Sequence, residues 1–237
     1  LLSIVSAVFV LLHPFLLVVN NPNTVMLLEQ INNPWKIQAG EIGLACFVLI
    51  TLTSIFRQEI KLNYNAWHTI HALLSLGIIV FGLIHIFKIN YYTALLPMRM
   101  TWMFEILVWI TMILTTRVLK PLQLKKHPYT VQQIIPEVPE VWTLVLKPVG
   151  HAGMSFKAGQ VAWLTINTSP FTLHRNPFSF AGNALVQDEL RFTIKALGDF
   201  TSSIGNLKGG ETAYVDGPYG NFSLDDEQTK KGLVMLA

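Results

Sequence analysis

Apolar residues fill the first half of the chain in long unbroken blocks and the second half in short alternating stretches. The blocks are Leu1–Val19, Ala39–Phe56, Ala66–Phe87 and Thr101–Thr116. Nothing from Ala66 to Phe87 is Asp, Glu, Lys or Arg. A hydrocarbon core of about 30 Å takes about 20 apolar residues as one helix, so the pattern predicts a bundle of four spanning helices. Between them lie Asn20–Gln38, which holds Asn-Pro twice, the polar turn around Arg57 and Lys61, and the short Tyr91–Met100 loop with Pro97. Pro14 inside the first block predicts a kink that a spanning helix tolerates.

From Tyr129 the period changes. Val141–Pro148, Val161–Asn167, Leu190–Ala196 and Thr212–Val215 read as strands, with turn signals at Gly150, Gly153, Gly159, Asn167, Pro170, Gly182 and Gly209-Gly210. Short strands so punctuated predict a small antiparallel β-barrel. The organisation expected is therefore a membrane domain over 1–117, a barrel over 118–228, and the start of a further domain over 229–237.

Composition agrees with the membrane half. Of 237 residues, 51% are hydrophobic and 13% charged, and mean hydropathy is +0.45; soluble domains sit well below this. The single cysteine, Cys46, excludes a disulfide framework and a CxxC metal site. A net charge of +3 without a basic, aromatic-interleaved stripe argues against nucleic-acid binding and leaves the lipid bilayer as the partner. The chain opens on Leu1 inside an apolar run, which we read as a fragment rather than a signal peptide. Lys and Arg concentrate on cytoplasmic loops. Arg57, Lys61, Arg117, Lys120, Lys125 and Lys126 then lie inside, while the weaker set of Lys36, Lys88 and Arg99 lies outside.

Histidines inside spans are functional candidates. The third block carries His68, His71 and His85. The fourteen steps from His71 to His85 bring the helix back to within about 40° of one face and about 21 Å along its axis. Two imidazoles so placed cannot share a metal ion, but each could serve a separate cofactor near one membrane surface. His68 lies off that stripe and reads as a packing residue. His13, toward the outer end of its helix, matches the depth of His85, and two neutral imidazoles from facing helices make an axial pair for a b-type haem. The same geometry asks for a partner to His71 about fourteen residues before His13, just ahead of Leu1. His127, beside Pro128, reads as a solvated loop residue, and Glu105 as an interfacial or helix-end residue.

Three motifs mark the second half. Arg175-Asn176-Pro177-Phe178-Ser179-Phe180 puts a hydroxyl beside an aromatic ring. Lys195-Ala-Leu-Gly198-Asp199-Phe200-Thr201-Ser202 ends a strand and opens a helix whose N-terminus suits a phosphate. Asp216-Gly217-Pro218-Tyr219-Gly220 reads as a tight turn.

At these residues the chain resembles the ferric reductase and NADPH oxidase superfamily, in its bacterial branch, over nearly its whole length. Tyr64-x-x-Trp67-x-x-x-His71 followed by His85 resembles the second haem-ligand helix, and His13 the outer ligand of the first. Asn176-Pro177-Phe178-Ser179 stands where the family has His-Pro-Phe-Thr/Ser, and Gly198-Asp199-Phe200-Thr201 where it has its Gly-Asp-x-Thr phosphate segment. The resemblance implies a ferredoxin-reductase-type FAD barrel in which Ser179 contacts the flavin ring. It also implies that Lys195, Gly198, Phe200, Thr201 and Arg175 hold the ribityl-pyrophosphate, with Asp199 in that segment. Asn176 replaces the family's His at one flavin contact. Lys230–Ala237 is similar to the first strand of the family's NAD(P)H-binding domain.

The expected function is that of a membrane oxidoreductase of the bacterial cytoplasmic membrane, with its FAD domain in the cytoplasm. Electrons would pass from NAD(P)H through FAD and two b-type haems, held by His71 and by His13 with His85, to ferric iron or dioxygen outside. Two rivals differ in class. A non-haem membrane binding or transport protein would use the histidines without flavin, and a membrane-anchored flavin reductase would lack haem.

Overall fold

The computed structural model describes residues 2–24, 33–91, 93–186 and 188–221. The chain forms two compact units, Leu1–Val108 and Trp109–Ala237. The stretch likened to an NAD(P)H-domain strand, 229–237, lies outside the described residues.

The first unit is helical. Helices α1 (Leu2–Asn20), α2 (Trp35–Ile55), α3 (Tyr64–Ile89) and α4 (Leu96–Ile113) follow one another. Among the described residues, three helices are long and apolar enough to cross a membrane: Trp35–Ile55, Tyr64–Ile89 and Leu96–Lys126. Of the four spans expected, the first is a shorter apolar helix over Val5–Asn20. Large apolar side chains face outward on every helix, among them Phe9, Leu73 and Phe104, each more than 60% exposed. Apolar surface on that scale fits a lipid environment, not water.

Helix α3 begins where Asn63 Oδ1 accepts the Ala66 N–H at 2.8 Å, an N-cap. It ends at Asn90, whose φ of 55° turns the chain out of the helix. Small residues let α2 and α3 approach closely. A Cβ on Gly77 would lie 3.0 Å from Cys46 Sγ, and one on Gly43 would lie 3.6 Å from the Gly82 backbone nitrogen.

Helix starts differ from expectation at two places. Helix α2 starts at Trp35, immediately after Pro34, and α4 at Leu96, immediately before Pro97. Proline is tolerated in the first turn, where its missing N–H is no loss. The fourth span also does not stop at Thr116. It continues through a π-helical turn, Leu114–Leu119, into α5 (Lys120–Lys126). There Lys120 N–H donates to the Thr115 carbonyl, a wider step than the α-helix makes. Pro121 has no N–H to offer, and the wider turn absorbs the mismatch without breaking the helix.

In the second unit, β1 (Tyr129–Val138), β2 (Val141–Pro148), β3 (Val161–Ile166), β4 (Asn176–Ser179), β5 (Leu190–Lys195) and β6 (Thr212–Tyr219) form one antiparallel sheet, ordered β4-β3-β6-β1-β2-β5. Strand β1 carries Gln132-Gln133 and Pro136 and lacks clean alternation. It bends at register shifts after Val131 and Pro136. Among the described residues no ladder joins the two edge strands, so the expected barrel is not closed in that way. A backbone bond from the Ala181 N–H to the Arg191 carbonyl at 2.9 Å links their neighbourhoods.

Leu144, Leu146, Leu164, Leu190, Phe192 and Ile194 are fully buried in its core. Strand β5 shows why: Leu190, Phe192 and Ile194 alternate inward with exposed Arg191, Thr193 and Lys195. Each such side chain contributes about 1.5–3 kcal/mol by leaving water. Phe180 stacks on Phe156 at 4.2 Å and leans on Phe192 at 5.2 Å. Helix α6 (Asp199–Ser203) follows β5, and a 3₁₀ turn, Ile204–Asn206, completes that connection.

Candidate functional site

The helical unit brings His13 and His85 together. Their ring centroids lie 6.4 Å apart, with planes at 80°. The Nδ1 of His85 lies 2.7 Å from the Lys36 carbonyl, at the start of α2. A carbonyl only accepts, so Nδ1 carries the proton and Nε2 keeps its lone pair. A metal-ligating imidazole needs that second hydrogen bond, which fixes ring orientation and tautomer. Gly40 makes the arrangement sterically feasible, because a Cβ there would come 2.6 Å from His85 Nδ1.

His71 sits on the same helix. Ser54 Oγ donates to the Ile50 carbonyl at 2.6 Å and lies 3.3 Å from His71 Nδ1. Its proton being committed, it accepts from Nδ1, and Nε2 of His71 is again free. Trp67 packs against His71 at 5.0 Å, and His68 stacks on Tyr64 at 6.0 Å. Arg57 lies over the rings of Tyr64 and Trp67 at 5.8 and 5.6 Å. Among the described residues no three of His, Cys, Asp or Glu gather into one metal-binding group, so the helical donors come singly or as the His13–His85 pair.

The spacing of these two rings suits residues that would hold one haem iron between them. Two metal–nitrogen bonds of about 2.0 Å plus two ring half-widths put the ring centres about 6 Å apart.

In the sheet unit, β4 holds the first motif. Val161 pairs with Ser179 and Trp163 with Pro177. Strand alternation sends Phe178 and Ser179 to opposite faces, so the ring and the hydroxyl do not lie side by side. Phe178 turns inward and stacks on Phe200 at 6.0 Å, while Ser179 is exposed. That stacking sets the Asn176–Ser179 strand beside the Gly198–Thr201 segment. The Thr201 hydroxyl accepts the N–H groups of Leu197 and Gly198 at 2.8 and 2.9 Å, and it donates to the Gly198 carbonyl. Its role in this structure is to hold the loop that presents the segment. Asp199 opens α6, and Lys195, opposite Val141 at the end of β5, is exposed.

Arg175 is occupied by protein groups. One guanidinium nitrogen donates to Asp216 Oδ2 at 2.8 Å and the other to the Pro170 carbonyl at 3.2 Å. The same carboxylate meets Lys120 at 3.1 Å and accepts the Tyr219 hydroxyl at 2.6 Å, and Lys120 Nζ also contacts Tyr219. Asp216 is buried. Sequence reasoning saw Asp216–Gly220 only as a turn, because its partners are distant in sequence.

A second feature was also missed. A cleft of about 430 Å³ runs between α5 and the Asp216–Pro218 end of β6. His127 faces it from the end of α5, with Nδ1 bonded to the Gln123 carbonyl at 2.9 Å. Its ring meets His151 edge-on at 5.4 Å. Tyr129 forms part of the floor, and burial pushes its phenol from 10.0 up to about 12.

Residues 1–82 match the family model of the ferric reductase like transmembrane component. The chain carries a ferric-reductase-like domain at its N-terminus. Among curated proteins, it is 35% identical over 99 residues to the reductase component of propane 2-monooxygenase from Mycolicibacterium smegmatis, covering 40% of this chain and 28% of that one. The corresponding Mycolicibacterium goodii protein is 36% identical over 94 residues, covering 38% and 26%. The chain thus spans little more than a quarter of these relatives. Among solved structures it is similar to phthalate dioxygenase reductase, with TM-score 0.38 and 18% identity over 45% of this chain and 33% of that chain. It is also similar to a flavohemoglobin from Malassezia yamatoensis with bound FAD and heme, with TM-score 0.41 and 18% identity over 90% and 59%.

Proposed function

We propose that this ferric-reductase-like chain is part of a membrane oxidoreductase. It takes electrons from NAD(P)H through FAD and two b-type haems to an acceptor on the outer side, ferric iron or dioxygen. Bound FAD turns a two-electron donor into single-electron steps, and haem carries those steps through a low-dielectric interior.

The chain's own residues have defined tasks in this reading. His13 and His85 hold the outer haem through Nε2, with Lys36 fixing the tautomer of His85. His71, oriented by Ser54, serves the inner one. In the sheet unit, exposed Ser179 on edge strand β4 meets the flavin ring. Lys195, Gly198, Asp199 and Phe200 receive its phosphate-bearing arm, and Thr201 shapes the loop from behind. Arg175 acts through its ion pair with Asp216, setting the strand rather than reaching the phosphate.

The observation that carries the reading is the His13–His85 pair, 6.4 Å between ring centres, with the outward Nδ1 of His85 anchored on a backbone carbonyl. The test is a dithionite-reduced minus oxidised absorption spectrum of the membrane-extracted full-length protein beside His85→Ala. Two equivalents of b-type haem, falling by about half in the variant, are expected. Absence of any haem signal from the wild type refutes the reading.

A further inference from the structure

The cleft beside α5 contains none of the residues assigned to flavin or haem. One wall is a single face of α5 and its end, Lys120, Gln123 and His127. The other wall includes Ser155 and the end of β6, and the floor includes Tyr129. Most of the polar groups offered are donors. Lys120 is a cation. Gln123 presents its side-chain amide. His127 has Nδ1 committed to the Gln123 carbonyl and so presents the lone pair of Nε2, an acceptor for a headgroup hydroxyl. Tyr129 keeps its phenolic proton, since burial holds it to about 12. His151 is spent on the protein: its Nε2–H reaches the Pro128 carbonyl at 2.9 Å, and its Nδ1 accepts the Gly153 N–H at 3.2 Å.

The one carboxylate in the wall does not reverse this balance. Asp216 already answers two cations, Lys120 and Arg175, together with the Tyr219 hydroxyl. Two positive groups on one negative group leave a net positive charge beside the cleft.

The helix itself locates that charge. The continuous helix Leu96–Lys126 is 31 residues long. A bilayer core takes about 20 of them, so about ten residues, some 15 Å of helix, extend beyond the hydrocarbon. Those residues hold Arg117, Lys120, Lys125 and Lys126, the composition that attracts an anionic leaflet surface.

We propose that this cleft binds the headgroup of an anionic membrane phospholipid, its phosphate held by Lys120 and Gln123 and a headgroup hydroxyl donating to His127 Nε2. The sheet unit then engages the leaflet by a specific pocket and not by diffuse charge alone. The proposal rests on the reading of Leu96–Lys126 as a span and is independent of the flavin and haem assignments.

The experiment uses the full-length protein in nanodiscs of neutral phosphatidylcholine, with and without phosphatidylglycerol, followed by native mass spectrometry of the ejected protein. Gln123→Ala/His127→Gln leaves the Lys120–Asp216 pair untouched, and Lys125→Gln/Lys126→Gln removes equal or greater charge outside the cleft. One phosphatidylglycerol equivalent is expected to stay with the wild type and the Lys125/Lys126 variant. The cleft variant should retain it about tenfold less well, the loss expected for hydrogen bonds to a charged group. Competition with millimolar inorganic phosphate separates the two sources of the same chemistry. Displacement of the lipid by free phosphate at that level overturns the lipid assignment. Equal retention by the cleft variant overturns the site. Loss equal to the cleft variant's in the Lys125/Lys126 variant overturns the pocket in favour of diffuse attraction. Failure of the haem or flavin assignments leaves these outcomes unchanged.

Discussion

Gly40→Ala is the sharpest test of the His85 geometry. The added methyl would lie 2.6 Å from Nδ1 of His85, 2.8 Å from Cε1 and 3.1 Å from Cγ. Ordinary carbon contacts need about 3.5–4.0 Å, so ring and backbone must separate by about 1 Å. The 2.7 Å hydrogen bond from His85 to the Lys36 carbonyl lies in the same place. A displacement of 1 Å takes it to about 3.7 Å, beyond bonding distance. Overpacking of this kind costs about 1–3 kcal/mol, and loss of an orienting hydrogen bond on a ligating histidine weakens metal binding by about 10- to 100-fold. Haem content per protein, by pyridine haemochrome on detergent-extracted wild type, Gly40→Ala and Gly82→Ala, measures the result. Gly82→Ala is the control, because a Cβ there meets nothing within 4 Å. About one haem equivalent should be lost from Gly40→Ala alone. Full content with an unaltered spectrum would show that His85 is not held as a ligand by this contact.

Three further outcomes follow from the sheet unit. Tyr129 has its phenol raised from 10.0 to about 12 by burial, so its contribution is complete below pH 10 and is lost as pH rises toward 12. At 1.36 kcal/mol per unit this is about 3 kcal/mol, visible as a fall in denaturant midpoint that Tyr129→Phe removes. Asp216→Ala leaves Arg175 and Lys120 without their shared partner; breaking such a buried pair costs about 3 kcal/mol, read as a lower melting temperature, and a melt equal to wild type would sink the anchoring role. Thr201→Val deletes the acceptor for Leu197 and Gly198 N–H. It should cost about 1–2 kcal/mol and lower FAD retention on gel filtration, whereas Thr201→Ser retains both.

Much of the helical architecture was visible in sequence because a span leaves a long uniform signal. The matched depth of His13 and His85 could be read from helix rise alone, since both lie on regular elements. The π turn at Leu114–Leu119 could not, because no residue type announces an i to i−5 bond and Pro121 reads locally as a stop. Strand β1 was missed for a related reason: Gln132, Gln133 and Pro136 break the alternation that marks a strand, and its pairing with β2 supplies what local pattern lacks. The Asp216 cluster is legible only in three dimensions. Its partners Arg175 and Lys120 stand 41 and 96 positions away, and a lone Asp before Gly-Pro looks like turn chemistry. His127 looked like loop because the helix was expected to have ended.

The π turn also sets an angle. One residue occupies about 100° of a helix, and the widened step from Thr115 to Lys120 advances the chain by one residue beyond regular winding. Lys120, Gln123 and His127 therefore point where they do because of a miscount built into the helix. A substitution on that face changes one contact at a time. Deleting one residue within 114–119 would remove the wide turn and leave that face in place, whereas deleting one from the regular winding before it would swing the whole face by about 100°, carrying Lys120 off Asp216 and the cleft wall together. The helix behaves there like a keyed shaft, more sensitive to the number of its residues than to their kind.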